Sequence, residues 1–286
     1  MTNITLKDVN YIYSPDTPYS IHALKNINLT IESGDFIGVI GQTGSGKSSL
    51  MQIIDGLIKP TSGEVLLDGQ DINAKDYDKK QLRRKVGMVF QYPEYQLFEE
   101  NVLKDVCFGP KNMGIEGKGA ELKAREALEM VDFPEEFYLQ SPFFLSGGQK
   151  RKAAIAGILA MEPDVLILDE PTAGLDPEGR EMILNLIKRL NQEKNMAIIL
   201  VSHSMEDVCA YCERVLVMHC GVLTMDAPVR DVFSRTDALR GIDLDIPVSM
   251  KVVTELRKRG ISVDDAMTIS EASDNILREY RRRRPC

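Results

Sequence analysis

Long apolar runs are missing from this sequence, and that sets the first limits. Crossing a bilayer as a helix takes roughly 18 or more consecutive apolar residues. The longest runs here are strand-sized, Val165-Leu166-Ile167-Leu168 and Ala197-Ile198-Ile199-Leu200-Val201. The segment Met1-Thr2-Asn3-Ile4-Thr5 has neither a basic n-region nor an apolar h-region, so no secretory signal is visible. The expectation is a cytosolic protein that reaches a membrane only through partner subunits. An excess of basic charge is also missing. The net charge of −8 argues against a general nucleic-acid binder, which would carry a basic face. Cysteines are few and odd in number (Cys107, Cys209, Cys212, Cys220 and Cys286), a pattern of free thiols rather than a disulfide framework. Tryptophan is absent, which excludes nothing. With 43% apolar and 27% charged residues, the chain can bury the core of a large domain and carry a small extension.

The patterning supplies the architecture. Alternation over 4–9 and 27–31 reads as strand, as does the apolar run 36–40. A glycine-rich turn follows, then an amphipathic helix over 47–57. Strand signals recur at 64–67 and 86–90. From about 92 to 162 helical periodicity replaces them, most clearly at 120–131 and 149–161. Strands return at 165–169, 196–201, 214–218 and 221–225, with a helix over 178–193. Strands alternating with helices imply an α/β fold with a mostly parallel sheet. The all-helical stretch implies a subdomain inserted into it. Residues 1–235 thus form one domain, with a helical subdomain over 92–162, and 236–286 form a C-terminal helical extension with pieces near 248–259 and 270–281.

Three motifs carry chemistry. Gly41-Gln42-Thr43-Gly44-Ser45-Gly46-Lys47-Ser48 fits G-x-x-x-x-G-K-[ST] at every fixed position. It follows a strand and opens a helix, so backbone amides and the helix N-terminus face a phosphate. Lys47 would reach the β- and γ-phosphates and Ser48 would ligate Mg²⁺. The strand 165–168 ends in Asp169-Glu170, at the carboxyl edge where such sheets bind ligands. Asp169 suits the magnesium, and Glu170 suits orienting and deprotonating an attacking water. Leu145-Ser146-Gly147-Gly148-Gln149 is a second helix start, with Ser146 as cap and two glycines that allow close approach of another group.

In this order the motifs resemble the nucleotide-binding domains of ABC ATPases, over residues 1 to about 235. The resemblance implies a P-loop fold with a RecA-like sheet, an N-terminal antiparallel β part and an inserted helical subdomain. It implies that Tyr13 stacks on adenine, and that Ser49 joins the phosphate loop in the ATP site. Gln91 is then the Q-loop glutamine and a magnesium ligand, Asp176 the D-loop aspartate, and His203 the switch histidine contacting the γ-phosphate. Two such domains would pair head to tail around two ATP molecules, each held between one phosphate loop and the other subunit's Ser146, Gly147, Gly148 and Gln149. The segment Tyr92-Pro93-Glu94-Tyr95-Gln96-Leu97-Phe98 resembles the ATPases of energy-coupling factor transporters, importers of vitamins and metal ions. The resemblance implies three partners. They are a second ATPase (paralogue or self), a transmembrane coupling subunit docked on this segment, and a membrane-embedded substrate-binding subunit. The location is then peripheral, at the cytoplasmic face of the cell membrane. The competing readings are another ABC transporter class, or an ABC ATPase acting on nucleic acid or ribosomes. The latter types carry a long coiled-coil insert or two such domains in one chain, and neither is present here.

Other features invite less. Cys209-Ala210-Tyr211-Cys212 with His219-Cys220 suggests zinc. However, Cys209 and Cys212 fall on a helix face packed on the sheet, and His219 and Cys220 point to opposite sides of a strand end. Buried thiols acting as small hydrophobes explain them better. His22 reads as a loop residue without signal, and Arg281-Arg282-Arg283-Arg284 as a solvated tail.

Overall fold

The computed structural model describes residues 2–283, apart from the side chains of Glu94 and Arg283. In chain order the elements are β1 (Asn3–Tyr13), β2 (Ile21–Glu32), β3 (Phe36–Gly41), α1 (Lys47–Ile54), β4 (Ser62–Leu67), β5 (Gln70–Asp71), α2 (Lys79–Lys85) and β6 (Val86–Val89). The inserted region contributes α3 (Val102–Val106), α4 (Phe108–Asn112), α5 (Lys118–Met130) and α6 (Gly147–Leu159). Then come β7 (Val165–Asp169), α7 (Pro177–Lys194), β8 (Ala197–Val201), α8 (Met205–Tyr211), β9 (Arg214–His219) and β10 (Val222–Pro228). The chain closes with α9 (Val229–Ser234), α10 (Thr236–Gly241), α11 (Val248–Lys258) and α12 (Ile269–Arg283).

Two sheets form. The larger runs β10-β9-β3-β8-β7-β6, with β9, β3, β8, β7 and β6 parallel and β10 antiparallel at the edge. The smaller, β2-β1-β4-β5, is antiparallel. The period-2 pleat divides the large sheet's side chains between two cores. Phe36, Ile40, Leu166, Leu168, Ile198 and Leu200 face one core with α5, α6 and α7. Ile37, Val39, Ile167, Ile199 and Val201 face the other with α1 and the small sheet. A parallel sheet covered on both faces needs near-continuous apolar strands, which explains why 165–168 and 197–201 are apolar throughout.

Two expectations change. The first helix stops at Ile54, three residues short of 57. Gly56 has φ +72°, and a Cβ there would lie 2.4 Å from Leu82 Cδ2, so the chain turns out of the helix at a position only glycine fits. The extension after 235 is also less separate than its polar sequence suggested. Leu239, Leu244, Ile246, Met250 and Met267 join the main core. Val253, Val263, Ala266 and Ala272 make a small separate core, with Leu256, Ile261 and Ile276 packed on it. Among the described residues no helix is long and apolar enough to cross a membrane.

Candidate functional site

Parallel strands in register bring their carboxyl ends to one edge. Val39 of β3 pairs with Val201 of β8, and Asp169 of β7 also pairs with Val201. The residues that leave these ends therefore converge: the phosphate loop after β3, Glu170 after β7, His203 after β8 and Gln91 after β6. Together with Tyr13 they line a cleft of about 640 Å³.

The floor of the cleft is the phosphate loop. Gly46 has φ +104° and caps α1, and a Cβ there would lie 2.7 Å from the Ala23 carbonyl oxygen. The helix thus starts where its first amides stay open. Lys47 is 7% exposed and donates to the carbonyls of Gly41 (2.6 Å) and Gln42 (3.0 Å). Burial lowers its pKa, while the charges of Glu170 and Asp169 raise it. Thr43, Gly44 and Ser48 line the cleft with it, whereas Ser45 lies buried beneath. Tyr13 donates to or accepts from Ser49 Oγ at 3.1 Å, and its ring packs edge-on against Tyr11.

The carboxylates stand opposite. Ser48 Oγ donates to Asp169 Oδ2 at 3.4 Å. Burial raises the Asp169 carboxyl above the ordinary range, against that hydrogen bond and the charges of Lys47 and His203. Burial also raises Glu170, and the neighbouring Asp169 charge adds to the rise while His203 and Lys47 oppose it. Glu170 adopts φ +52°, uncommon for a side chain of its kind. Its N–H is pinned to the Val201 carbonyl at 3.0 Å, which holds that turn. His203 Nε2 lies 3.0 Å from Glu170 Oε1. Among the described residues, that buried oxygen has no hydrogen-bond partner.

Ser146 and its glycines lie outside this cleft. Ser146 Oγ accepts from Gln149 N–H (3.2 Å) and Gln149 Oε1 accepts from Ser146 N–H (2.9 Å), a reciprocal cap on α6. The Gln149 side chain is thus committed within its own chain. The Ser146 hydroxyl proton remains free to donate. Asp176 likewise caps α7, accepting from Gly179 N–H at 2.7 Å.

Two placements have no local signal. His22 lies on β2 and, with Lys25 of the same strand and Cys220 after β9, lines the cleft, so the reading of His22 as an uninformative loop residue is corrected. Arg151, 1% exposed, donates to the carbonyls of Pro171 and Ala173 and so ties α6 to the turn after the acid pair. As the sequence reading expects, the Cys212 thiol, raised by burial, packs on β3 beside Gly38, and burial pushes Cys209 up to about 12.

The segment after Gln91 borders a second groove of about 420 Å³, lined by Gln96, Leu97, Phe98, Phe108 and Asp55. Phe98 is 59% exposed and meets Phe108 edge-on at 4.9 Å. Asp105 accepts from the N–H groups of Phe98 and Glu99, both at 2.8 Å, and fixes the loop. Tyr92 and Tyr95 are exposed and lie outside the groove, and Pro93 is buried. The Glu94 side chain is outside the described residues.

Asp55 ends α1, where the helix dipole disfavours negative charge. Burial pushes its carboxyl up to about 7, against the pull of Arg83. The folded state therefore keeps a proton that the unfolded chain releases. Stability from this group is complete below the ordinary value of 3.8 and is lost as the pH rises through about 7. Asp55→Asn holds the neutral form at all pH. Its melting temperature should exceed that of the wild type by several degrees at pH 8, with no gain near pH 4. Equal gains at both pH values would contradict the assignment.

The sequence profile of the ABC transporter family matches residues 24–173. The energy-coupling factor transporter ATP-binding protein EcfA2 of Caldanaerobacter subterraneus subsp. tengcongensis is 48% identical over 279 residues, 97% of this chain and 98% of that protein. The protein of the same name from Clostridium perfringens is 48% identical over 277 residues, 96% and 97% of the two chains. Among solved structures, cbiO1 of Clostridium perfringens, part of the ABC transporter complex cbiONQ, superposes with a TM-score of 0.73 at 38% identity, covering 90% of this chain and 96% of its own. The ATP-binding cassette MJ0796, solved as a dimer in a post-hydrolysis state bound to ADP and Pi, gives 0.70 at 34% identity, covering 79% and 99%. The chain belongs to the ABC transporter ATPases, and within them to the ATP-binding proteins of energy-coupling factor transporters.

Proposed function

We propose that this chain is one half of a head-to-tail ATPase pair that encloses two ATP molecules and drives an energy-coupling factor importer of vitamins, other micronutrients or metal ions. One observation carries the pairing. Gly147 and Gly148 have no positive φ, and a Cβ on them would meet nothing closer than 4.0 Å and 3.5 Å, respectively. Their own chain does not need glycine there, so the requirement comes from outside it, from the ATP on a partner subunit. The dimeric MJ0796 structure supports that arrangement.

In this reading Lys47 leaves its carbonyls for the β- and γ-phosphates, and the open amides of α1 face the same oxygens. The donors around Asp169 suit magnesium: Ser48, Gln91 and Asp169 offer hard oxygen ligands, and the half-buried Asp169 carboxyl lacks a full counter-charge. Magnesium, when bound there, neutralises phosphate charge. Glu170 takes the proton of the attacking water as its oxygen bonds to the γ-phosphorus and the bond to the β–γ bridging oxygen breaks. His203 beside Glu170 reaches the γ-phosphate from the β8 side.

The groove beside Phe98 receives a cytoplasmic segment of the transmembrane coupling subunit, which also holds the chain at the membrane's inner face. A substrate-binding membrane subunit completes the machine. Phe98→Ala should reduce co-purification of the membrane subunits several-fold while ATP affinity of the isolated chain stays unchanged. Undiminished assembly and uptake would count against the groove.

A further inference from the structure

Two lysines line the nucleotide cleft, and only Lys47 belongs to the phosphate loop. The other is Lys25, half-buried on β2. Its neighbour Leu24 points into the core, so the pleat turns Lys25 the other way. The strand beneath it is braced to the loop. Lys25 N–H donates to the Gly221 carbonyl (2.8 Å), and Gly221 N–H donates to the Ser45 carbonyl (3.0 Å). Two backbone hydrogen bonds thus fix the root of Lys25 relative to the phosphate cradle.

The two ammonium groups differ in their surroundings. Lys47 already donates to two carbonyls and feels the charges of Glu170 and Asp169. Among the described residues no carboxylate forms an ion pair with Lys25, and the charges acting on Asp169 and Glu170 are those of Lys47 and His203. Lys47 is therefore partly neutralised before a ligand arrives, whereas Lys25 is not. A polyphosphate brings several negative charges into the cleft, and an unpaired cation rooted in its wall meets them at little reorganisation cost.

We infer that Lys25 is a second phosphate-positioning residue, which holds the polyphosphate of ATP from the β2 wall while Lys47 holds it from the loop. This rests on the nucleotide-site reading above. The bland alternative is a lysine whose stem only covers apolar surface.

The test measures equilibrium binding of MgATP to the full chain with a fluorescent ATP analogue, and of adenosine by competition. Lys25→Met should weaken MgATP about tenfold at low salt, with the loss shrinking at high salt. Adenosine affinity and melting temperature should stay at wild-type values, and Lys25→Arg should recover most of the MgATP affinity. A Lys25→Met protein that binds MgATP within about twofold of wild type, or that loses adenosine equally, overturns the inference. So does an equal loss in Lys25→Arg. Lys47→Ala separates the two readings. If wild type and Lys47→Ala bind MgATP alike, the nucleotide-site reading itself fails and takes Lys25 with it.

Discussion

Glu170→Gln is expected to lower steady-state ATP hydrolysis by about 10²–10⁴-fold and to leave ATP binding intact. The amide keeps the size of the carboxyl and its place at the end of β7, but it cannot accept a proton from water. Binding rests on Lys47 and the open amides of α1, none of which touches the substituted atom. ATP should therefore be held without being consumed, and a closed pair should accumulate in size-exclusion chromatography with MgATP. The wild type should also show an acid limb in its rate. Glu170 works only when ionised, and burial together with Asp169 holds its pKa above the ordinary 4.5. Turnover therefore falls as the pH drops through that raised value. His203 opposes the rise, so His203→Ala should move the limb to still higher pH. Near-normal turnover in Glu170→Gln, or a limb at the ordinary carboxylate position, would remove Glu170 from the role of base.

Much of this was readable because the chemistry sits in contiguous runs. The parallel strands bury both faces, so Val165–Asp169 is apolar up to the residue where it meets the cleft. The phosphate loop needs its glycines in a fixed spacing, and the acid pair follows its strand directly. What stayed hidden depends on distant pieces of chain. Lys25 and His22 become cleft residues only because β2 crosses beside Gly46 and the turn at Gly221. Nothing in their neighbours announces that crossing. Asp55 is unremarkable in sequence, and its raised carboxyl comes from packing at the end of α1. A fall in apolar content places a boundary near 235, yet scattered apolar residues such as Leu239 and Ile246 are enough to join the next segment to the main core. Local pattern reports an element's type, whereas burial of single residues between elements reports where a domain ends.

Gly148→Asp offers the sharpest separation of the chain's own fold from the assembly it serves. Within the chain the change is mild. Gly148 lies in the first turn of α6, its φ is not positive, and an added Cβ would meet only the Met182 methyl at 3.5 Å, ordinary contact. A carboxylate at a helix N-terminus gains ~0.3–1 kcal/mol from the dipole, and aspartate in place of glycine in a helix gains only ~0.3 kcal/mol more. The melting temperature should therefore stay level or rise. The isolated chain should bind MgATP as before, because α6 starts outside the cleft. ATPase activity should nevertheless fall by at least about 100-fold, the scale seen when one transition-state donor is lost. The substituted carboxylate would stand where the partner's γ-phosphate must approach the Ser146 hydroxyl. The same substitution added to Glu170→Gln should abolish the ATP-dependent pair, observed as a monomer in sedimentation with MgATP. A stable, ATP-binding Gly148→Asp protein that still hydrolyses at the wild-type rate would mean that α6 faces no nucleotide. The two glycines would then need another explanation.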